Sequence, residues 1–367
     1  MKKIHRTLSL FTVAAMCAAL LCSCGAVSDS SQTDSSSKAD TTTTADTTAD
    51  TTTAGEASST ASATSAPDSS VSDSSSAVTD DTKTNGITPA MWKVTSPEGN
   101  TMVMLGSFHA LKDECYPLPE AVTNAYNNAD ILAVECDITS TSEDGEYMKN
   151  LMKQMLYNDN TKLSQHISKE AYSALQTYLG YWGMDISALE VYRPWAVSST
   201  LDTLLIQDSD FDTEKGLDNY LLTTAHADGK EIYEVESVDF QMNLLINFSD
   251  DIYDLMFRSY KGETKESQKQ ALEDLYTAWK SGDIETFLEE DNEEELAGYT
   301  EEDKKIAEDY NNQMLYDRNK NMAKAAEELM SQGKNVFYVV GAAHYAGEGG
   351  IIDLLEKDGY TAERVQY

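Results

Sequence analysis

The sequence is short of cysteine, histidine and basic side chains. Five Cys, five His and 27 Lys plus Arg stand against 63 Asp plus Glu in 367 residues, a formal net charge of −36 at pH 7. A chain this acidic has no basic footprint for a phosphate backbone, which argues against nucleic-acid binding. It equally lacks a basic face for anionic lipid. No apolar run reaches 18 residues, so no transmembrane helix is expected. C-x-x-C pairs and zinc-finger spacings are missing. So are H-E-x-x-H, G-x-S-x-G and a Walker loop, so any metallohydrolase built on this chain is not a zincin.

What is present begins with an address. Lys2, Lys3 and Arg6 precede an apolar run from Leu8 to Leu21, too short to span a bilayer and suited to a secretory leader. The run ends Leu21-Cys22-Ser23-Cys24, which resembles a bacterial lipobox. That resemblance implies a signal peptide over 1–23 and a lipidated Cys24, whose two or three acyl chains would hold the protein stably on a membrane. Residues 24–88 read as the anchor and a tether. From Ala26 onward the tether is rich in Ser, Thr and Asp, with no Trp, Tyr or Phe. Such a segment has too little apolar area to offset its ordering entropy. As a flexible coil it would span on the order of 45 Å. An extracytoplasmic, membrane-anchored location follows as the expectation.

Residues 89–367 remain for the folded part and hold all the Trp and Tyr. Cys115 and Cys136 fall here, and in an exported protein they are free to pair or not.

Hydrophobic patterning here predicts an α/β fold with a central mixed sheet. Trp92–Val94 and Thr101–Leu105 flank Pro97-Glu98-Gly99-Asn100 as a hairpin. Glu120–Asn128 reads as a helix. Ile131–Val134 is a buried strand ending at Glu135-Cys136-Asp137. Glu231–Val235 ends at Glu236, and Asn335–Val340 runs into Gly341-Ala342-Ala343-His344. The second hairpin strand runs likewise into Gly106-Ser107-Phe108-His109. Four strands therefore lead, in order, to His, Glu, Glu and His, with two G-x-x-H loops at strand ends. Ligands of α/β sheets collect beyond the carboxyl ends of strands. His109, Glu135, Glu236 and His344 are thus candidate ligands for a divalent ion such as Mn, Fe, Co or Zn, able to activate water or polarise a carbonyl. Asp137 is a reserve ligand, and Cys136 is expected to point away into packing. His166 and His226 lie in polar helical contexts and read as structural or surface residues.

Helical spacing dominates from Tyr147 to Leu205 and from Phe240 to Leu329, a large helical insertion. Leu163, Ile167, Leu175 and Leu179 are its expected core stripe. Tyr253, Phe257, Tyr260, Tyr276, Trp279, Trp182 and Trp195 are expected in the core, and the acidic stretch from Asp250 to Asp309 on a solvated face.

The motifs in order resemble the TraB/GumN family, which is related to the Tiki metalloproteases and the pheromone-shutdown proteins. The likeness runs from Trp92-Lys93-Val94 and Leu105–His109 through Tyr116–Pro119 and Ala129–Glu135. It continues through Arg193-Pro194-Trp195, Gly216-Leu217-Asp218, Val235–Gln241 and Ala278–Asp283. It closes with Asp317-Arg318-Asn319 and Val340–His344 with Gly350. The last motif departs from many relatives, with Tyr345-Ala346 after the His. The resemblance implies a centre of His109, His344, Glu135, Glu236 and Arg318, with Asn319 beside the Arg. By the chemistry of the residue types, Glu135 or Glu236 could act as general base instead of ligand, and Arg318 could stabilise an oxyanion or bind a peptide carboxylate. The expected function is a metal-dependent hydrolase of peptides or proteins. The alternatives are a protein that sequesters a peptide signal without cleaving it, and an iron- or haem-binding lipoprotein.

Overall fold

The computed structural model describes residues 86–139, 145–288 and 298–367. The leader, Cys24 and nearly all of the tether lie outside the described residues. Packing begins at Ile87, fully buried, and at Thr88, whose N–H donates to the Lys280 carbonyl.

A six-stranded mixed sheet is ordered β4-β3-β5-β2-β1-β6. β1 (Met91–Thr95) and β2 (Thr101–Ser107) form the antiparallel hairpin. Its turn closes at Gly99, whose φ of 92° suits a residue without Cβ. β3 (Ile131–Val134), β4 (Glu231–Glu234) and β5 (Val336–Gly341) complete a parallel block with β2. β3 and β5 are buried throughout, as continuous apolar strands covered on both faces should be. β6 (Thr361–Arg364) pairs antiparallel with β1 at the far edge. Its polar, largely exposed sequence carries no strand signal that patterning could detect.

Because β2, β3, β4 and β5 run the same way, Ser107, Val134, Glu234 and Gly341 end at one edge. The chain continues the pairing past β4, since Glu236 N–H donates to the Glu135 carbonyl at 2.8 Å.

Helices fill the connections. α1 (Glu120–Asn128) precedes β3. α2 (Gly145–Gln154), α3 (Lys169–Gly180), α4 (Pro194–Gln207) and α5 (Leu217–Asp228) lie between β3 and β4. α6 (Val238–Asn247), α7 (Asp250–Ser259), α8 (Lys265–Ser281), α9 (Glu301–Asn311) and α10 (Asp317–Ser331) lie between β4 and β5. α11 (Ile351–Lys357) follows β5. One apolar core surrounds the sheet and a second holds the helices. Leu163, Ile167, Leu175 and Leu179 are buried in the second, as are Tyr253, Phe257, Tyr260 and Trp195. Tyr276 and Trp279 are buried in the first, and Trp182 is half-buried.

Cys115 and Cys136 are both free thiols. They serve separate contacts: Cys115 Sγ lies 3.1 Å from the Tyr276 hydroxyl, and Cys136 Sγ donates to Gln241 Oε1.

Candidate active site

The site assembles from the ends of the parallel strands. After β2 the chain turns over at Phe108 and His109, and the Phe108 carbonyl accepts from Leu217 N–H at 3.0 Å. That bond presses the start of α5 onto the loop. A Cβ on Gly216 would lie 2.1 Å from the His109 carbonyl oxygen, so only glycine allows this approach. The result puts Asp218, in the first turn of α5, 2.7 Å from His109 Nδ1 through Oδ2.

Glu135 follows β3 directly and is 8% exposed. Its Oε1 accepts from Gly341 N–H at 2.7 Å, and its Oε2 accepts from Arg318 Nη2 at 2.7 Å and Gln241 Nε2 at 2.9 Å. Glu236 faces the same guanidinium. It accepts from Arg318 Nε at 2.9 Å and Nη2 at 2.8 Å, and from Gln241 Nε2 at 2.7 Å. Arg318 is aimed by a π-helical turn over Asn312–Tyr316, immediately before α10. The extra residue in that turn reorients the helix face, and Arg318 Nη1 donates back to the Met314 carbonyl.

His344 lies in the short 3-10 turn after β5 and is buried. Its Nδ1 is 2.6 Å from Asn319 Oδ1. Asn319 Nδ2 donates to the Gly349 carbonyl at 2.9 Å, which turns Oδ1 towards the imidazole. His344 Nδ1 must therefore carry the proton and Nε2 the lone pair. That Nε2 is 3.8 Å from Glu135 Oε1.

The charges divide cleanly. Burial lowers His344 to about 3, and Arg318 adds to the effect, so this imidazole is neutral. Burial acts the same way on His109, but the charge and hydrogen bond of Asp218 outweigh it and raise that group to about 9. Burial would push Glu135 up, yet Arg318, both imidazoles and Gly341 N–H hold its carboxyl far below the usual range. Arg318 is held charged by Glu135 and Glu236 against its burial.

His109, Glu135, Glu236, Arg318, Asn319 and His344 are thus all brought to one end of the sheet. Asp137 is not among them: its Oδ2 pairs with His226 Nε2 at 2.8 Å, and its N–H donates to Glu234 Oε1. The strand does not persist far enough to return it to the Glu135 side. Cys136 does not point away from the site either, since it lines the adjoining cavity and bonds Gln241. His166 is paired with Asp250 and Thr161 elsewhere. Two contributors carried no role in the sequence reading, Asp218 and Gln241. Both stand inside motifs quoted above, and their partners are distant in sequence. Cys24 lies outside the described residues.

Donor chemistry decides whether a divalent ion suits this set. Both imidazoles are anchored through Nδ1, as second partners orient ligating histidines; His344 Nε2 carries a lone pair, and His109, raised to about 9, would release its Nε2 proton on taking up an ion. A Cβ at Gly341 would lie 3.1 Å from Glu135 Oε1, 3.5 Å from His109 Nε2 and 3.6 Å from His344 Cδ2. Three side chains therefore face one point, and two imidazoles with a carboxylate are a suitable donor set. Glu236 does not join them, because Arg318 and Gln241 occupy its oxygens. Among the described residues no group of three or more His, Cys, Asp and Glu side chains is spaced so as to hold a metal ion. His109, Glu135 and His344 surround the space without closing on it.

That space opens into a cavity of about 120 Å³. Beyond the polar floor its walls are apolar, with Ile138, Ile206, Leu244, Leu272, Met314 and Leu315.

Known proteins bear on this geometry. The family model described as TraB/PrgY/gumN family matches residues 90–364. A protein named Metalloprotease TIKI homolog from Nematostella vectensis is 25% identical over 293 residues, covering 68% of this chain and 61% of the relative. An uncharacterized protein, YbaP of Escherichia coli (strain K12), is 23% identical over 159 residues, covering 43% and 56%. A Metalloprotease TIKI homolog from Amphimedon queenslandica is 36% identical over 55 residues, covering 14% and 11%. The chain spans less than two thirds of the length of these relatives. No solved structure matches it significantly.

Proposed function

This chain belongs to the TraB/PrgY/gumN family, and on that premise we propose that it is a metal-dependent hydrolase of peptides or proteins, displayed outside the cytoplasmic membrane on a lipidated Cys24. The observation that carries the reading is the convergence of His109 Nε2, Glu135 Oε1 and the His344 ring on one point beside Gly341. His109, His344 and Glu135 would hold a divalent ion, Mn, Co, Fe or Zn. Such an ion, when bound, lowers the pKa of a water or polarises a carbonyl.

The chain's own groups define the rest. Asp218 and Asn319 fix both imidazoles through Nδ1. Arg318 and Gln241 take Glu135 Oε2, so only Oε1 faces the reacting space. Arg318 pairs with both carboxylates in a buried setting and helps hold Glu135 ionised. The apolar walls suit a substrate whose side chain beside the reacting bond is uncharged.

The test is metal content by mass spectrometry on the full chain after loading with Mn, Fe, Co and Zn in turn, beside cleavage of a quenched fluorescent casein. Stoichiometric metal in the wild type and in His166→Ala, with loss in His109→Ala and His344→Ala, supports the reading. EDTA should then abolish cleavage. Full metal in all three variants would sink it. The engagement of both Glu135 and Glu236 by Arg318 favours one second reading, a protein that holds a peptide without cutting it. Peptide binding that survives EDTA and His109→Ala would select that one.

A further inference from the structure

Ser107 is the last residue of β2 and is 2% exposed. Its Oγ has no hydrogen-bond partner among the described residues. A buried hydroxyl left in that state is costly and calls for a partner. Its place in the sheet says where that partner would come from.

Ser107 is in parallel register with Gly341. In-register residues of a parallel pair present their side chains to the same face of the sheet. The Gly341 Cβ direction is already known: it meets Glu135 Oε1, His109 Nε2 and His344. Ser107 therefore projects towards that same space, and it lines the cavity there. Nearby polar groups are committed elsewhere. Gly341 N–H and Arg318 are taken by Glu135, Asp218 by His109 and Asn319 by His344. Beside the two imidazole Nε2 atoms, the Ser107 hydroxyl is a polar group of this floor left without a partner among the described residues.

We propose that Ser107 is a substrate-binding residue, whose hydroxyl hydrogen-bonds the peptide group of a substrate seated with an apolar side chain against the cavity wall. The ligand class follows from the surroundings. A hydroxyl serves as donor or acceptor, and a peptide group offers both without adding charge to an apolar cavity. A second carboxylate would face Glu135, and a cation would enter beside Arg318. The proposal deepens the hydrolase reading and rests on it.

The probe is N-acetyl-leucine methylamide, with N-acetyl-glycine methylamide as its partner lacking the apolar side chain. Each is titrated by NMR into the full chain as wild type and as Ser107→Ala, and the thermal midpoint of each protein is recorded. The wild type should bind the leucine compound more tightly than the glycine one. Ser107→Ala should weaken both by a similar factor, about five- to tenfold for one hydrogen bond, with an unchanged or raised thermal midpoint, because an unpaired buried hydroxyl is removed. Equal binding by Ser107→Ala, with the leucine preference intact, would overturn the Ser107 assignment and leave the cavity reading standing. Weaker binding with a midpoint several degrees lower would overturn it too, by showing a structural role. No binding of either probe to the wild type would overturn both.

Discussion

Arg318 Nη2 lies 2.7 Å from Glu135 Oε2, and the side chains are 7% and 11% exposed. The same nitrogen is 2.8 Å from Glu236 Oε2. One guanidinium thus bridges the ends of two neighbouring strands. Removing it leaves two buried carboxylates facing one another. Arg318→Met should destabilise the fold by about 3–5 kcal/mol, the cost of orphaning a buried ionic partner. Arg318→Lys should recover only part of this, because an ammonium cannot match the planar fork. Denaturant unfolding of the three proteins reads the order directly.

Gly341 offers a gentler probe of the same place. Its backbone is in an ordinary region, since its φ is −51°, so alanine brings no backbone strain. The added Cβ would press on Glu135 Oε1 at 3.1 Å and occupy the point faced by both imidazoles. If the proposed metallohydrolase reading holds, Gly341→Ala should lower hydrolysis and metal uptake at least tenfold, while the thermal midpoint moves only a few degrees. A variant that retains full metal and activity would show that the reacting space lies elsewhere.

Much of this centre was legible because of its chemistry at strand ends. His109, Glu135 and His344 each follow an apolar strand, and parallel strands must end together. The pairing of Arg318 with Glu236 was not legible, because 82 residues separate them and a π-helical turn, invisible to 3.6-residue periodicity, aims the guanidinium. Asp218 became legible only through a contact, the approach of Gly216 to the His109 carbonyl. Asp137 illustrates the opposite error: strand alternation would return it to the Glu135 side, but β3 ends at Val134 and Asp137 turns to His226.

Asp202 in α4 carries a separate stability prediction. It is 3% exposed, and its Oδ2 has no partner among the described residues. Burial holds its carboxyl well above the usual range. The folded state therefore keeps a proton that the unfolded state releases near pH 4. Above that pH the unfolded state binds fewer protons, so stability falls as pH rises towards the folded pKa. Asp202→Asn should remove this slope and stabilise the protein at pH 8 by roughly 1–3 kcal/mol, with little gain at pH 4. Urea midpoints at the two pH values test it. An equal gain at both would mean that ionisation of Asp202 is not the cause.

Asp303 predicts the reverse slope, and it bears on the candidate active site through α9. Its Oδ2 accepts from the Thr300 N–H and hydroxyl at the start of that helix, and its Oδ1 accepts from Arg258 of α7. Arg258 above all, then the Thr300 bonds, lower its carboxyl to about 2 against the opposing effect of burial. A folded pKa below the unfolded value of about 3.9 means that the stabilisation is fully present above pH 4. It is lost as pH falls from 4 through 2, and amounts to roughly 2 kcal/mol. Glu135 is also depressed and contributes to acid unfolding, so the wild type alone cannot isolate Asp303. The difference between wild type and Asp303→Asn can: it should be about 2 kcal/mol at pH 6 and shrink towards zero near pH 2. Since α9 runs straight into the π-helical turn that aims Arg318, Asp303→Asn should also loosen the Arg318 clamp at neutral pH. Hydrogen exchange over residues 312–318 checks this second consequence, and unchanged protection there would confine the Asp303 contact to anchoring α9 on α7.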